Sequence, residues 1–442
     1  MSRVLRVIRN PQFAKLWLSQ FVSQTGDWLD RVACLVLIGR LGSASSVFGV
    51  GVLFGLELAL RLLPSALFSP LAGPIADRLP RRMLMIVSDL ARAAIVLCFL
   101  LVREPSQLTW LYVLIGLQMA IGIFFDAARS AALPETVKPD ELHDAYALSA
   151  VTWSITLCAG ALAGGWVVEW VGISGAFVVD SASYVLSALF LIGLRLPPVP
   201  KHAEPFRWGD IVRLTDLRRG LTHARKLGVT PILWTKSFWG GAGGFLVLLS
   251  LAGRDQFGSG ASDAAKGLDE AAAIGATAVA TGWLYFARGI GTGLGPLLAN
   301  LFFGKTDPAL KRQITAGFVI AAIGYALFGS SHSLWIACVF VAVAHTGGST
   351  LWVASTVLWQ KHVENAYRGR VFVIEFLALD LAFSAGGMVG GLIYDATGSL
   401  SLSSWIIAGL VLLLGSIWTW TARNVRGPER AVEVVPAVVE PD

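Results

Sequence analysis

The sequence predicts an all-α membrane protein of twelve transmembrane helices, arranged as two pseudo-symmetric six-helix halves. Of its 442 residues, 55% are hydrophobic and only 14% are charged, which lies outside the usual range for soluble domains. Apolar stretches of about 20 residues, the length that crosses a bilayer, recur along nearly the whole chain. A glycine pattern in the first half recurs in the second at a constant offset of 226 positions.

The expected spans begin and end near polar residues, glycines or prolines. The N-terminal stretch MSRVLRVIRNPQF is basic and lacks a small-residue cleavage site, so we expect the first helix to be retained. The twelve spans are predicted at 12–38, 46–69, 82–102, 108–129, 143–168, 173–194, 231–253, 273–303, 312–329, 334–359, 369–393 and 401–422.

The distribution of lysine and arginine predicts the orientation of these spans. Of the 35 basic residues, 26 fall in the segments on the side of both termini and 4 in the segments on the opposite side. Since cytoplasmic loops carry the excess of basic residues, we expect both termini in the cytoplasm and the chain in a bacterial inner membrane. The net charge of +6 therefore reflects membrane topology and predicts no nucleic-acid partner.

A basic connector divides the chain into its halves. The predicted organisation is a first half at 1–195, a cytoplasmic linker at 196–230, a second half at 231–423 and a cytoplasmic tail at 424–442. The linker opens Pro-rich and shows helical periodicity from about Trp208, which fits either a solvated connector or an amphipathic helix on the inner leaflet.

The internal repeat joins AGALAGGWVVEWVG in span five to AGGMVGGLIYDATG in span eleven. Glycines four positions apart allow helix backbones to approach closely in lipid, and an acid, Glu169 or Asp395, stands at the same place in each copy. Two such repeats are the organisation of a large class of secondary transporters. The glycines expected to pack helices are Gly160, Gly164, Gly165, Gly386, Gly390 and Gly391.

The stretch GPIADRLPRR between spans two and three resembles the cytoplasmic loop motif of the major facilitator superfamily. The motif positions are occupied by Gly73, Asp77, Arg78, Arg81 and Arg82. Further stretches, including NPQFAKLWLSQFVSQTGDWL, FFDAARSAALPETV and GAFVVDSASYVLSAL, resemble the drug:proton antiporter branch, which contains macrolide and siderophore exporters and, more distantly, lysophospholipid transporters.

This resemblance implies a cytoplasmic gate in which the loop acts together with two charged pairs, Asp89/Arg92 and Asp126/Arg129. The alternative is that these pairs only lower the cost of membrane insertion. Two departures from the family pattern are present. Family antiporters often place an arginine early in helix four, ahead of a Gln-x-x-x-Gly, and here Gln118 and Gly122 are present without that arginine. The second-half loop NLFFGKTDPALKRQ lacks the Asp-Arg pair, so the latch is expected on one half alone.

Acidic and basic residues three or four positions apart occur in each of the first four spans, which places each pair on one helix face. The pairs are Asp27/Arg31, Glu57/Arg61, Asp89/Arg92 and Asp126/Arg129. Because ionised groups are costly inside a bilayer, they must neutralise one another or line a wet cavity. Burial favours a protonated carboxyl and a nearby arginine favours the charged one, so we predict Asp30 and Glu57, then Asp27, as proton carriers.

The second half carries further charged or titratable residues within its spans, namely Lys236, Arg288, His345, Glu375 and Asp380. His345 stands alone at mid-span and is expected to be a hydrogen-bonded packing residue. Aromatic residues in spans seven and ten could line the substrate cavity or anchor the helices at the interface. The cavity candidates are Phe238, Trp239 and Trp352.

No metal or cofactor site is expected. The four cysteines, Cys34, Cys98, Cys158 and Cys338, lie in apolar spans without metal-type spacing. The stretch ANLFFGKT fits a relaxed phosphate-loop pattern, but it follows a membrane span instead of a β-strand.

We therefore expect a monomeric transporter, not an enzyme, that exports a small amphiphilic compound by alternating access with proton antiport. One alternative is a lysophospholipid or siderophore transporter without tight proton coupling. Another is a membrane receptor or assembly factor that does not transport, a function for which dense charge within the spans has little use.

Overall fold

The computed structural model describes residues 3–43, 48–198, 214–258, 270–423 and 425, and their regular structure is entirely helical, as predicted. The helices are α1 (Arg3–Ile8), α2 (Pro11–Gly42), α3 (Val50–Ala76), α4 (Arg81–Phe99), α5 (Leu108–Thr136), α6 (Leu142–Ile192), α7 (Leu214–Lys226), α8 (Thr230–Leu233), α9 (Thr235–Phe238), α10 (Ala242–Asp255), α11 (Glu270–Phe303), α12 (Asp307–Gly329), α13 (Leu334–His362), α14 (Asn365–Thr397) and α15 (Leu400–Ala422).

In the described part of the chain, seven helices are long and apolar enough to cross a membrane, namely α3, α5, α6, α12, α13, α14 and α15. The helices α2, α4 and α11 and the segment from α8 to α10 complete a path that is consistent with the twelve predicted crossings, provided that α6 counts as two. We call the side where α2 begins and α15 ends the terminal side, and the opposite side the far side.

The fifth and sixth predicted spans are joined without a loop. They form one helix, α6, interrupted at Gly172, whose φ of 73° and ψ of 176° are accessible to glycine but strained for other residues. Beyond α6, the carbonyl of Gly193 accepts a hydrogen bond from Lys15 Nζ at 2.6 Å, close to the start of α2. The chain therefore reverses at Gly172, and both ends of α6 lie on the terminal side.

The seventh crossing differs from the single span predicted at 231–253. It consists of α8, α9, a 3-10 turn at Trp239–Gly241 and α10. Three of its glycines, Gly240, Gly243 and Gly244, lie against α14 at backbone distance: a Cβ placed on Gly243 would lie 2.2 Å from the carbonyl oxygen of Phe383. Because glycine has a low helix propensity, this glycine-rich segment is less continuously helical, but its backbone can pack closely against the neighbouring helix.

The glycine repeat has the same geometry in both halves. Gly160 and Gly164 lie against α2, and Gly386 and Gly390 against the seventh crossing, which is the counterpart of α2. The third glycine of each copy crosses to the other half: Gly165 meets α11 and Gly391 meets α3. At the end of each copy a glycine has positive φ, 73° at Gly172 and 60° at Gly398.

Residues 199–213 of the linker, the loop at 259–269 and nearly all of the tail lie outside the described residues. The described part of the linker includes α7, which packs on α14. A Cβ placed on Gly220 would lie 3.0 Å from the Cβ of Arg370.

Candidate functional site

A cavity of about 340 Å³ lies among α2, α3, α4, α5 and the first limb of α6. It combines aromatic surface with charges of both signs, so an amphiphilic molecule could meet both kinds of partner there. Asp126 and Trp153 lie in the terminal-side halves of α5 and of the first limb of α6, close to the middle of each. The lining residues are Gln24, Asp27, Trp28, Arg31, Arg61, Ser65, Arg92, Met119, Gly122, Ile123, Asp126 and Trp153.

A buried charge cluster adjoins this cavity. Asp30 is fully buried, and its carboxylate accepts from Arg61 Nη2 at 3.1 Å and from Gln118 Nε2 at 2.7 Å. Arg61 Nε donates to the buried carboxylate of Glu57, and Arg31 Nε lies 3.7 Å from the same carboxylate. The structure thus brings the predicted carriers Asp30 and Glu57 together on one shared arginine.

Tyr184 links Asp30 to a second group of charges. Gln118 Nε2 also lies 3.0 Å from the hydroxyl of Tyr184, which in turn donates to the carboxylate of Asp27. Asp27 keeps 28% of its side chain exposed, whereas Asp30 and Glu57 are buried. Within the cluster, Asp27 is therefore the carboxylate that meets the cavity.

The predicted pair Asp27/Arg31 does not form. Instead, Arg31 faces Glu57 on α3, and Asp27 lies 3.6 Å from Arg92 Nη1 on α4. Helical spacing puts Asp27 and Arg31 on one face, but both groups point into the cavity region, where partners on neighbouring helices come closer. The pairs Glu57/Arg61, Asp89/Arg92 and Asp126/Arg129 do form.

The gate residues predicted between α3 and α5 separate into two sets. Asp89 and Arg92 lie deep, where Asp89 also accepts from Ser187 at 2.6 Å. Asp77 is 59% exposed and lies 3.9 Å from Arg81. Contrary to the expectation of one gate, Asp89 and Arg92 do not join the loop in this conformation, because their neighbours are Asp27 and Ser187.

The loop makes its own contacts at the terminal side. Arg81 donates to the carboxylate of Glu135 and to the carbonyl of Ala131, both at the end of α5. Arg82 reaches the carbonyl oxygens of Ile192 and Leu194 at 3.4 and 3.3 Å. Deeper in, Arg129 donates to Gln20 at 3.0 Å. A Cβ placed on Gly73 would have no heavy atom within 4 Å, and Arg78 is half-buried.

On the far side, polar contacts join the two halves. The carboxylate of Asp395 accepts from the backbone nitrogens of Gly51 and Val52, at 2.8 and 2.9 Å, and so caps the start of α3. Arg254 donates to Ser43 at 2.6 Å. Arg40 lies 3.6 Å from Glu270. In each contact one partner belongs to the first half and the other to the second.

The second half contains a separate buried ion pair. Lys236 Nζ lies 3.0 Å from Glu375, donates to Thr356 at 2.8 Å and lies 4.6 Å from the ring of Trp352. Trp239 is buried, and its ring packs against those of Trp352 and Phe383.

Phe238 is half-buried in the same core. The aromatic candidates therefore surround Lys236 or pack in the second-half core, while the cavity described above is lined by first-half residues. His345 is buried with Nδ1 3.0 Å from the carbonyl of Val341, an environment typical of a packing histidine.

Sequence reasoning missed three contributors. Tyr184 and Asp180 lie four positions apart in an apolar span, and such a polar pair on one helix face was a signal available in the sequence. Asp180 is buried against Gly26 of α2, and its carboxylate oxygen would clash with a methyl group there. The role of Asp395 as a cap could not be seen, because its partners are 343 and 344 positions away.

Several proteins are similar to this chain in sequence or in fold. The MFS-type transporter YfiS of Bacillus subtilis (strain 168) is 25% identical over 419 residues, which cover 91% of each chain. Multidrug resistance protein MdtH of Yersinia pestis (strain Pestoides F) is 24% identical over 400 residues, covering 88% of this chain and 89% of its own. The crystal structure of a mutant of the nucleoside transporter NupG superposes with a TM-score of 0.72 at 13% identity, covering 93% of this chain and 99% of that one.

The family assignment follows from the sequence match as well as from the fold. The family model of the Major Facilitator Superfamily matches residues 16–284, which include the cavity, its charge cluster and the loop at 73–82. This chain belongs to the major facilitator superfamily of membrane transporters.

Proposed function

We propose that this transporter exports a small amphiphilic compound by alternating access, and that export is driven by proton antiport. The observation that carries the proposal is the connected polar chain from Asp27 through Tyr184, Gln118 and Asp30 to the Arg61–Glu57 pair. One end of this chain meets the cavity and the other is buried. Similarity to a multidrug resistance protein supports the substrate class.

The cluster can couple a proton to a movement of helices. Asp30 on α2 pairs with Arg61 on α3, and Glu57 on α3 faces Arg31 on α2, so protonation of either carboxyl releases part of the attraction that holds these helices together. Asp27 is the carboxyl that water in the cavity reaches first. A proton taken up at Asp27 or passed to its neighbours would therefore weaken a contact between α2, α3 and α4 that the charged state maintains.

The conformation described here fits one stage of such a cycle. The halves approach closely on the far side, and Asp77 is exposed on the terminal side, which supports a cavity that opens toward the terminal side. With the terminal side in the cytoplasm, as the excess of basic residues there favours, this state would take up substrate from the cell. The halves at 1–195 and 231–423, joined by the linker at 196–230, would then rock about the cavity as a monomer in the bacterial inner membrane.

Proteoliposomes that enclose a pH-sensitive dye provide the test. Addition of an amphiphilic substrate should release protons in the wild type, and the flux should fall about tenfold or more in Asp27→Asn, Asp30→Asn and Glu57→Gln, because each change leaves a buried arginine with one charged partner fewer. Asp140→Asn, in an exposed turn, serves as the matched control.

The possible outcomes separate the hypotheses. Substrate movement without any pH change would favour the uncoupled lysophospholipid or siderophore transporter. Absence of movement across a broad panel of amphiphiles would reject the exporter and leave the receptor or assembly factor. Normal coupling in all three variants would reject the assignment of the proton to this cluster.

A further inference from the structure

The basic residues within the membrane spans are unequally paired. The sequence places five of them there, and in the described part of the chain four face a carboxylate within 4 Å. These pairs are Arg31–Glu57, Arg61–Asp30, Arg92–Asp89 and Lys236–Glu375. The fifth, Arg288 on α11, has no carboxylate within that distance among the described residues.

The guanidinium of Arg288 is also short of hydrogen bonds. Its Nε and Nη1 atoms are buried, and among the described residues neither has a hydrogen-bond partner. Its guanidinium carbon lies 5.7 Å from the ring centres of both Trp28 and Tyr285. Aromatic faces attract a cation, but they do not replace hydrogen-bond acceptors, so a buried arginine in this state is costly.

A second arginine, Arg31, lies beside the same two rings, those of Trp28 and Tyr285. The guanidinium carbon of Arg31 lies 5.5 Å from the ring of Trp28 and 5.3 Å from that of Tyr285, and the charge of Arg31 repels that of Arg288. Arg31 Nε is buried without a hydrogen-bond partner in the described part of the chain, and its contact with Glu57 is long at 3.7 Å. Arg31 and Arg288 repel each other, and each has at least one N–H group that donates to no acceptor in the described part of the chain. An anion bound between them would reduce the repulsion and accept hydrogen bonds from these groups.

The position of this pair relates it to the cavity. Trp28 and Arg31 line the cavity from α2, and Trp153 packs edge-on against Trp28 with ring centres 6.5 Å apart. Asp27, the acid on the adjacent turn of α2, faces Arg92 at 3.6 Å and not these two arginines. The positive charge of Arg31, next to Trp28, is therefore less neutralised by nearby carboxylates than the charges of Arg61 and Arg92.

We propose that Arg288 and Arg31 bind an anionic group of the transported compound, and that Trp28 and Trp153 hold its apolar body. The substrate class is an amphiphilic organic anion, with a carboxylate, sulfonate or phosphate next to an aromatic or aliphatic portion. This inference rests on the proposed function and specifies its substrate. Because Arg31 belongs to the first half and Arg288 to the second, the anion would connect the halves and would compete with Glu57 for Arg31.

Three compounds that share one apolar body test the charge preference. These probes are 2-naphthoate, the neutral 2-naphthalenemethanol and the cationic 2-naphthylmethylamine. Their binding is measured by calorimetry on purified protein in nanodiscs of zwitterionic lipid, with empty nanodiscs as the blank. The wild type should bind naphthoate about tenfold or more tightly than the alcohol. Equal or weaker binding of naphthoate overturns the proposal.

Variants of Arg288 test whether this arginine causes the preference. Arg288→Gln should remove most of the tenfold preference while leaving binding of the alcohol unchanged, and Arg288→Lys should restore part of it, since charge returns without the fork of donors. The ratio of the two affinities is the readout, so a partial loss of folded protein cancels. Arg103→Gln, an exposed arginine in the turn before α5, is the control. An unchanged ratio in Arg288→Gln overturns the assignment.

Transport in proteoliposomes separates this proposal from the proposed function. Flux of the alcohol or the amine with none of naphthoate would reject the anion site and leave the exporter standing. Charge-selective binding of naphthoate, lost in Arg288→Gln, without flux of any probe would keep the anion site and count against export.

Discussion

The far side and the terminal side of this transporter differ in the kind of contact that predominates. On the far side the halves meet through closely packed backbone, in addition to the polar contacts described above: a Cβ on Gly391 would lie 2.1 Å from the carbonyl oxygen of Gly51, and one on Gly165 would lie 2.7 Å from that of Ala278. On the terminal side the prominent residues are long charged side chains, such as Arg81 and Arg82, and the glycines Gly73 and Gly293 have open space around them.

The difference indicates how each end can open and close. Backbone contact between glycines depends steeply on distance, so the far side is either fully closed or open. Charged side chains on the terminal side can keep contact over several ångströms while helices move. A transporter that alternates between two states needs the contacts that close each side to be weak enough to break. Here different interactions play that role on the two sides.

The largest effect is expected from adding a methyl group to the closed end. Gly391→Ala should force α14 away from α3, because the new Cβ would overlap the carbonyl of Gly51, and substrate transport should fall about tenfold or more. Maleimide labelling of a cysteine introduced at Val50 should rise from the far side. Gly293→Ala is the matched control, since a Cβ there has no neighbour within 4 Å. Wild-type transport in Gly391→Ala would show that the far side does not need this close approach.

An intermediate effect is expected at the cap on α3. Asp395→Asn removes a charge from the start of that helix, where an anion typically contributes about 0.3–1 kcal/mol, so the balance should shift about two- to fivefold toward the far-open state. The same cysteine labelling measures this shift. Its counterpart in the repeat, Glu169, is exposed, and Glu169→Gln should shift the balance less. Equal shifts in the two variants would contradict a special role for the cap.

The smallest effect on stability is expected at Asp77. Its side chain is largely exposed and its ion pair with Arg81 is long, so Asp77→Asn should change the free energy of unfolding by less than about 0.5 kcal/mol. If the loop latches the terminal side in the opposite state, labelling of a cysteine at Gly73 from the terminal side should nevertheless increase. Asp140→Asn provides the comparison. Unaltered labelling would leave Asp77 with a role in packing or membrane insertion alone.

Much of the fold could be predicted, because apolar length and glycine spacing are local properties of the sequence. Each copy of the repeat ends at a glycine of positive φ, Gly172 or Gly398, where the chain turns, but the sequence did not reveal that the first of these turns needs no loop. The site was predicted less completely. Spacing along one helix identified Glu57 with Arg61, but the rotation of α2 against α3 and α4 decides that Arg31 faces Glu57 and Asp27 faces Arg92, and no local pattern encodes that rotation.

The crossing of the third glycines has a consequence for assembly. One helix of each half packs against the other half, α6 against α11 and α14 against α3. The interface is therefore reciprocal, like that of an isologous homodimer. Each half contains the whole of the surface through which it contacts the other half. Separate polypeptides ending and starting within the linker would therefore retain everything needed to pair, and the covalent connection would serve chiefly to keep their numbers equal.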